Sequence, residues 1–162
     1  INILSEKTGN FFVTFAGSGA EAEKYRQKIH CQHCVKFDVR IIPDREIPDL
    51  FVNADFLVLP YRDVTQSGPL WIAFRYSVPV IVSDLPGFRE WVKEGETGLF
   101  VPSEDPSALA QTMFKALNMT EKEKKRMQQN IGQFVQLNLD PEKITSDYKK
   151  MFASVERKDT NE

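Results

Sequence analysis

The sequence contains few of the residues on which several kinds of protein chemistry depend. Two cysteines and two histidines in 162 residues leave a structural zinc site without a second, distant pair of ligands. No apolar run approaches the roughly 20 residues that cross a bilayer. A net charge of -2 argues against a general nucleic-acid binder. With 41% apolar and 27% charged residues, the composition is that of a soluble globular domain large enough for a real core.

Both cysteines and both histidines lie in one short run, His30-Cys31-Gln32-His33-Cys34. These side chains are zinc ligands, so a metal site is one interpretation. Because no other Cys or His exists in the chain, the run is more typical of the end of an amphipathic helix with two reduced thiols. Reduced thiols fit a cytoplasmic protein.

Short apolar strands alternate with helical segments along most of the chain. The patterns predict strands over 11–16, 35–42, 56–59, 80–82 and 98–101, and helices over 20–34, 47–54, 70–76, 106–117, 120–135 and 141–155. The last three helices are predicted to begin at Asp105, at a capping box of Thr120 with Glu123, and at Asp140. Strands that alternate with helices form right-handed βαβ units. We therefore predict an α/β fold, a doubly wound parallel sheet (Rossmann-like) with helices on both faces and a helical C-terminal tail.

Ligands bind such sheets at the carboxyl ends of the strands, which directs attention to three loops. The first, Gly17-Ser18-Gly19, fits a dinucleotide-binding G-x-G-x-x-A pattern together with Ala22, and Asp38 is placed to meet a ribose. An oxidoreductase domain is therefore one alternative. Another is a tight turn that needs glycine for its backbone alone.

The second loop opens a helix with Ser67 as its N-cap and Gly68 and Pro69 behind it. Unpaired amides and the helix dipole favour a phosphate there, and Arg62 is a candidate contact for its oxygens. The alternative is a well-capped surface helix. In the third loop, 83–90, we expect Gly87 to adopt positive φ in a turn, with Arg89 and Glu90 opening the next helix.

The motifs together resemble a known family. They are GSG, ADFLVLPY, QSGPLWIAF and VPVIVSDLPGFREWVKEGETGLFVPSEDPSALAQTM, and they span about residues 11–117. This order resembles the carboxyl-terminal domain of retaining glycosyltransferases of the group 1 (family 4) type, which have two Rossmann-like domains. The resemblance implies binding of a UDP-sugar or GDP-sugar donor and transfer of the sugar to an acceptor, in polysaccharide or glycolipid assembly. It implies no cofactor and no metal.

The resemblance also implies which residues bind the donor. Residues 67–70 would hold the diphosphate through backbone amides, 17–19 would lie beside the donor, and 39–41 would lie near the nucleobase. The donor-binding set it predicts is Gly17, Gly19, Arg40, Ile41, Arg62, Thr65, Gln66, Ser67, Gly68 and Leu70. It assigns no certain catalytic residue.

The chain departs from the family pattern in two ways. Thr65 and Ala73 stand where the family has two glutamates, which leaves a degenerate, non-catalytic module as an alternative. The basic phosphate contacts and the acceptor domain of the family would precede Ile1, which is not a methionine. We therefore expect residues 1–155 to be a donor domain truncated at its N-terminal end, inactive alone, and 156–162 to be a disordered tail. The longer protein would be cytoplasmic, with any peripheral membrane contact in the missing half.

Overall fold

The computed structural model describes residues 1–139 and 141–156, which form an α/β fold. The strands are β1 (Val13–Ala16), β2 (Val35–Asp38), β3 (Leu57–Leu59), β4 (Val80–Ser83) and β5 (Gly98–Val101). The helices are α1 (Asn2–Ser5), α2 (Ala22–Arg26), α3 (Ile47–Val52), α4 (Gly68–Arg75), α5 (Pro86–Arg89), α6 (Pro106–Leu117), α7 (Glu121–Asn138) and α8 (Pro141–Glu156). The predicted fold class, with parallel strands and a helical C-terminal part, is confirmed.

Every strand pairing in the described part of the chain is parallel. Strand β1 pairs with β2, so that Val13 lies opposite Val35. Strand β4 lies between β3 and β5, with Val80 opposite Leu57 on one side and Gly98 on the other. Parallel neighbours need a crossover connection, and helices supply it.

Strand β4 is buried on both faces and organises the core. All four of its residues are buried. Val80 and Val82 pack into one cluster with Phe74 of α4 and Ile131 of α7. Ile81 points the other way, into a second cluster that includes Ala116 of α6. Alternation along this strand therefore places helices on both sheet faces, as its continuous apolar run predicts.

The longer helices begin at the caps that the sequence predicts. The Asp105 carboxylate accepts a hydrogen bond from the Ala108 amide at 2.8 Å, and Thr120 and Glu123 form a complete capping box at the start of α7. The hydrogen bonds from Thr120 hold the pKa of the Glu123 carboxyl below its usual value. Because these bonds satisfy otherwise unpaired amides, they fix where each helix starts.

The segment 20–34 differs from its prediction. Helix α2 ends at Arg26, and residues Gln32–Cys34 form a separate 3-10 turn. The Gln32 side chain donates to the Ile29 carbonyl at 2.6 Å, which stabilises the break. The turn brings Cys31 and Cys34 together, with their Cα atoms 5.4 Å apart, as a disulfide. The expectation of two reduced thiols at a helix end is therefore wrong for this structure.

The C-terminal expectations are tested only in part. Helix α8 continues to Glu156, the first residue of the predicted tail, whereas residues 157–162 and the predicted helix cap Asp140 lie outside the described residues. None of the helices within the described ranges is both long and apolar enough to cross a membrane.

Among the described residues, four strands have one open edge, namely β1, β2, β3 and β5. In this part of the chain, β1 pairs only with β2, and β3 pairs only with β4. Phe12, just before β1, is 63% exposed, and Phe15 of β1 is 39% exposed. An open strand edge presents unpaired N–H and C=O groups to any further strand.

The pairing of β4 with β5 requires a glycine. A Cβ atom at Gly98 would lie 2.6 Å from the Val80 carbonyl oxygen and 2.8 Å from Cγ1 of Val92. We expect Gly98→Ala to lower the free energy of unfolding by about 1–3 kcal/mol, because the added methyl group overpacks this contact. Urea denaturation measures the change. Gly9→Ala, at a site with no atom within 4 Å, is the control and should change stability by less than about 0.5 kcal/mol; equal effects would contradict the packing account.

Candidate functional site

The loops after β3, β4 and β5 meet at the carboxyl edge of their sheet. The Ser103 hydroxyl donates to the Tyr61 carbonyl at 3.1 Å, and the Asp84 amide donates to the Val101 carbonyl at 2.7 Å. The Tyr61 ring also lies 5.6 Å from the ring of Phe88. These contacts tie the three loops into one surface, where the parallel fold predicts a ligand site.

The amino end of α4 lies on this surface and has free backbone donors. Ser67 is the N-cap, and its hydroxyl accepts a hydrogen bond from the Leu70 amide at 3.4 Å. Both residues are buried, which fixes the start of the helix. Gly68 is exposed. Within the described part of the chain, the amides of Ser67 and Gly68 donate no hydrogen bond. Such amides at a helix start form an anion site.

Space is open in front of these amides. No atom lies within 4 Å of the position that a Cβ of Gly68 would occupy. Thr65 and Gln66, just before the cap, are exposed. A ligand can therefore reach the backbone closely at this point, as the glycine predicts.

The loop before α4 is supported by Gly87, for a reason different from the predicted one. Gly87 is not among the glycines with positive φ; it lies in α5, where a Cβ would come 2.6 Å from the Val64 carbonyl oxygen and 3.4 Å from that of Thr65. The expected positive-φ turn is wrong, and close backbone approach is what requires glycine here. Arg89 is the last residue of α5, with Glu90 as its C-cap, so these residues end that helix rather than open one.

Arg62 lies to one side of the α4 corner, over a separate cavity of about 300 Å³. Its Nε donates to Oε1 of Glu104 at 2.9 Å, and its side chain is 84% exposed. An exposed ion pair of this kind contributes no more than about 1 kcal/mol. The guanidinium can therefore exchange Glu104 for a phosphate at small cost. Ser83 also lines this cavity, whereas Ser67 and Gly68 do not.

The remaining predicted residues lie at the carboxyl edge of β1 and β2. Gly17 has a φ of 137° and donates its amide hydrogen to the Asp38 carbonyl at 3.1 Å. The Arg40 guanidinium binds the Asp38 carboxylate at 2.7 Å and 3.1 Å and also binds Glu46. Gly19 is exposed, and the Ile41 side chain is 83% exposed.

These ion pairs change the electrostatics of the β1–β2 edge. Hydrogen bonds to Glu46 and then Asp38 raise the pKa of Arg40, and the bond from Arg40 lowers the pKa of the Asp38 carboxyl. In the dinucleotide interpretation, Asp38 would accept hydrogen bonds from a ribose. In this structure the Asp38 carboxylate is already hydrogen-bonded to the Arg40 guanidinium. The helix that follows Gly17 and Gly19, α2, has only five residues. Both observations weigh against a dinucleotide site.

The ten predicted residues thus fall into two groups. Four lie at the β1–β2 edge, and six lie in the loop after β3 and the first turn of α4. The sequence did not identify Glu104 and Glu46, the carboxylates that hold Arg62 and Arg40. No local pattern marks them, since an ion pair across a loop depends on the folded path of the chain.

Comparison with known proteins places this chain in a family. The family model described as glycosyl transferases group 1 matches residues 1–119. A search of curated proteins returned no match. Among solved structures, Anabaena HepE in complex with UDP is 17% identical with a TM-score of 0.77, over 94% of this chain and 43% of that one.

Two further structures are similar to the same extent. Sucrose-phosphate synthase from Thermosynechococcus elongatus is 22% identical with a TM-score of 0.78, over 93% of this chain and 41% of that one. A glycosyltransferase from Rickettsia africae is 15% identical with a TM-score of 0.78, over 95% of this chain and 42% of that one. At these identities the likeness shows the fold. The chain spans about two fifths of the length of each.

The contact at Gly87 gives a test of how the α4 corner is supported. We expect Gly87→Ala to displace the backbone at Val64 and Thr65 and to lower the free energy of unfolding by about 1–3 kcal/mol, since the methyl group would overlap a carbonyl oxygen. Amide chemical shifts of residues 63–68 should move together. Gly68→Ala, in open space, is the control for fold stability. Unchanged shifts in the Gly87 variant would show that the two loops are independent.

Proposed function

Since the chain belongs to the group 1 glycosyl transferases, we propose that it is the donor-binding half of a retaining enzyme that moves a sugar from a nucleotide sugar to an acceptor. One observation carries the proposal. The amides of Ser67 and Gly68 are unpaired at the amino end of a helix, at the carboxyl edge of a parallel sheet, and Gly68 is exposed there. A donor diphosphate matches such a corner in charge and in hydrogen bonding.

The same amides would assist the transfer itself. Cleavage of the sugar–phosphate bond leaves the electron pair, and so negative charge, on the departing diphosphate. Backbone donors fixed in advance stabilise that charge without reorganising, and one such donor contributes about 3 kcal/mol in a dry site. In an open half-cleft, water competes with them and weakens the effect. Transfer therefore requires a second domain that closes over the donor.

The two departures from the family pattern affect donor affinity. Ala73 is fully buried in the core, so this position cannot hold a ribose, as the family's glutamate does. Thr65 is exposed and offers a hydroxyl toward the sugar. We propose that the protein binds its donor through the diphosphate and the base edge, more weakly than a member with both glutamates. The replacement of both family glutamates, by Thr65 and Ala73, is the observation that favours the second candidate function, a non-catalytic module.

Arg40 and Ile41 are proposed to receive the base, with Gly17 and Gly19 beside the donor. The exposed Ile41 side chain can pack on a base plane, while Arg40 is held in one orientation by its two carboxylates. Gln66 and Arg62 would complete the phosphate end. HepE was solved with UDP and with UDP-glucose, which supports testing UDP before GDP.

The proposed setting is polysaccharide or glycolipid assembly in the cytoplasm. The acceptor would bind the other domain of the longer protein, and any peripheral contact with a membrane would belong to that half. Support for a second half comes from the share of the solved structures that this chain covers, 41% to 43% for the two described first.

Titration of nucleotides against the protein tests the donor site. We expect UDP or GDP, but not NAD, to shift the NMR amide signals of residues 65–70, because the corner recognises a diphosphate that ends in one nucleoside. ADP is the control for base selection. Gly68→Asp should abolish the shifts by adding bulk and like charge, while Gly68→Ala, which meets no atom within 4 Å, should keep the fold. Binding that survives Gly68→Asp would place the site elsewhere, and tight NAD binding would favour the oxidoreductase alternative.

We also propose that residues 1–155 are a donor domain that is completed by a further strand in the longer protein, and that 156–162 form a tail. The support is the open edge of β1 and the open edge of β3. A parallel strand placed before α1 would pair with β1 through an ordinary βαβ crossover.

A protein extended at its amino end should then unfold at higher urea concentration than residues 1–162, with greater protection of β1 amides from hydrogen exchange. Equal protection would contradict this proposal.

A further inference from the structure

A cluster of metal-ligand side chains lies away from the proposed donor site. The ligand atoms of Cys31, His33 and Cys34 all lie within 4.8 Å of one another. Cys34 is buried, Cys31 is half-buried and His33 is exposed. The cluster precedes β2, at the amino end of that strand, whereas the donor site is built from loops at the carboxyl ends. It is therefore available for a role that donor binding does not use.

The backbone of this segment is held in place by side chains outside the cluster. Gln32 Nε2 donates to the carbonyls of Arg26 at 3.1 Å and Ile29 at 2.6 Å. The His30 amide donates to Asn2 Oδ1 at 3.0 Å, which ties the segment to α1. Because these bonds fix the turn without using any ligand atom, little conformational freedom remains to be lost when the three side chains bind an ion.

The spacing of one sulfur and one ring nitrogen fits tetrahedral zinc. Zn–S and Zn–N bonds of about 2.3 and 2.0 Å at a tetrahedral angle place sulfur and nitrogen about 3.6 Å apart. The distance from Cys31 Sγ to His33 Nε2 is 3.5 Å. The second sulfur, on Cys34, is bonded to Cys31 Sγ in the disulfide, so reduction must let the two sulfurs separate before all three atoms can surround one ion.

We propose that the reduced form of this segment binds one zinc ion through Cys31, His33 and Cys34, with water in the fourth position. A set of two cysteines, one histidine and a water is an established form of open zinc site. The sequence argument against a metal required a second, distant ligand pair, which an open three-ligand site does not need.

Zinc and the disulfide compete for the same two sulfur atoms. A dithiol or phosphine reductant gives two electrons to the Cys31–Cys34 bond, and the sulfurs take up two protons. Zinc then binds them as thiolates and releases those protons. Each form links Cys31 to the buried Cys34 at the start of β2, so the turn is held together by a covalent bond when oxidised and by the ion when reduced.

The two histidines provide a matched pair of variants for the test. Both are exposed and lie three residues apart, but only the His33 ring belongs to the cluster; His30 contributes a backbone amide. We expect His33→Ala to weaken zinc binding by at least about 10–100-fold. Removal of a residue that only hydrogen-bonds to a metal ligand already weakens metal binding by that factor. His30→Ala should bind as the unchanged protein does.

The experiment uses the full 162-residue chain, reduced with a phosphine and titrated with Co²⁺ and then with Zn²⁺ against a chromophoric chelator. We expect one ion per chain, with thiolate-to-cobalt charge-transfer absorption that zinc abolishes. Cys31→Ser, at the half-buried position, should lose that absorption, and so should the oxidised protein. Zinc should also raise the melting temperature of the reduced protein, but not that of His33→Ala.

Several results would overturn the proposal. These are no bound ion in the reduced protein, the same affinity in the two histidine variants, or equal binding by the oxidised protein. Circular dichroism of each variant shows whether it is folded. If Cys31→Ser does not fold, the comparison of the exposed histidines still decides the question.

Discussion

The burial of β4 on both of its faces is the constraint on which the rest of the fold depends. Val80 and Val82 face a core made with α4 and α7, while Ile81 faces a core made with α6. Cover on both faces is typical of a strand whose parallel neighbours return through helices, because those helices pack on the faces of the sheet. The crossovers in turn bring every loop that follows a strand of this sheet to the same edge.

The α4 corner is a consequence of that arrangement. Helix α4 is anchored through buried Leu70 and Phe74, so its first turn cannot move away from the sheet edge. The Ser67 hydroxyl accepts a hydrogen bond from one amide of that turn, and the amides of Ser67 and Gly68 remain unpaired. The stability of the core thus maintains a set of unpaired donors, which by itself would be unfavourable and which an anionic ligand would compensate. Family membership and the geometry of the corner support the same proposed ligand.

Much of this could be predicted from the sequence because it depends on neighbours in the chain. The run at β4, the caps at Asp105 and Thr120, and the Ser67 start of α4 each follow from local spacing. The prediction failed where particular side-chain contacts decide the outcome. The predicted helix 20–34 breaks because Gln32 bonds back to Ile29 and Arg26, and helix propensity carries no information about such a bond. Composition likewise did not indicate that one edge of β1 would lack a neighbouring strand.

What the sequence by itself determined was the class of fold, the order of strands and helices, and the family to which the chain belongs, since these depend on periodicity, caps and contiguous motifs. Tertiary structure alone decided that Gly87 supports the loop at Thr65, that Arg40 and Arg62 are held by Glu46 and Glu104, and that Cys31, His33 and Cys34 converge. Each of these contacts is set by distances of a few ångströms between atoms. Such distances depend on how the folded backbone turns, and residue order alone does not specify them.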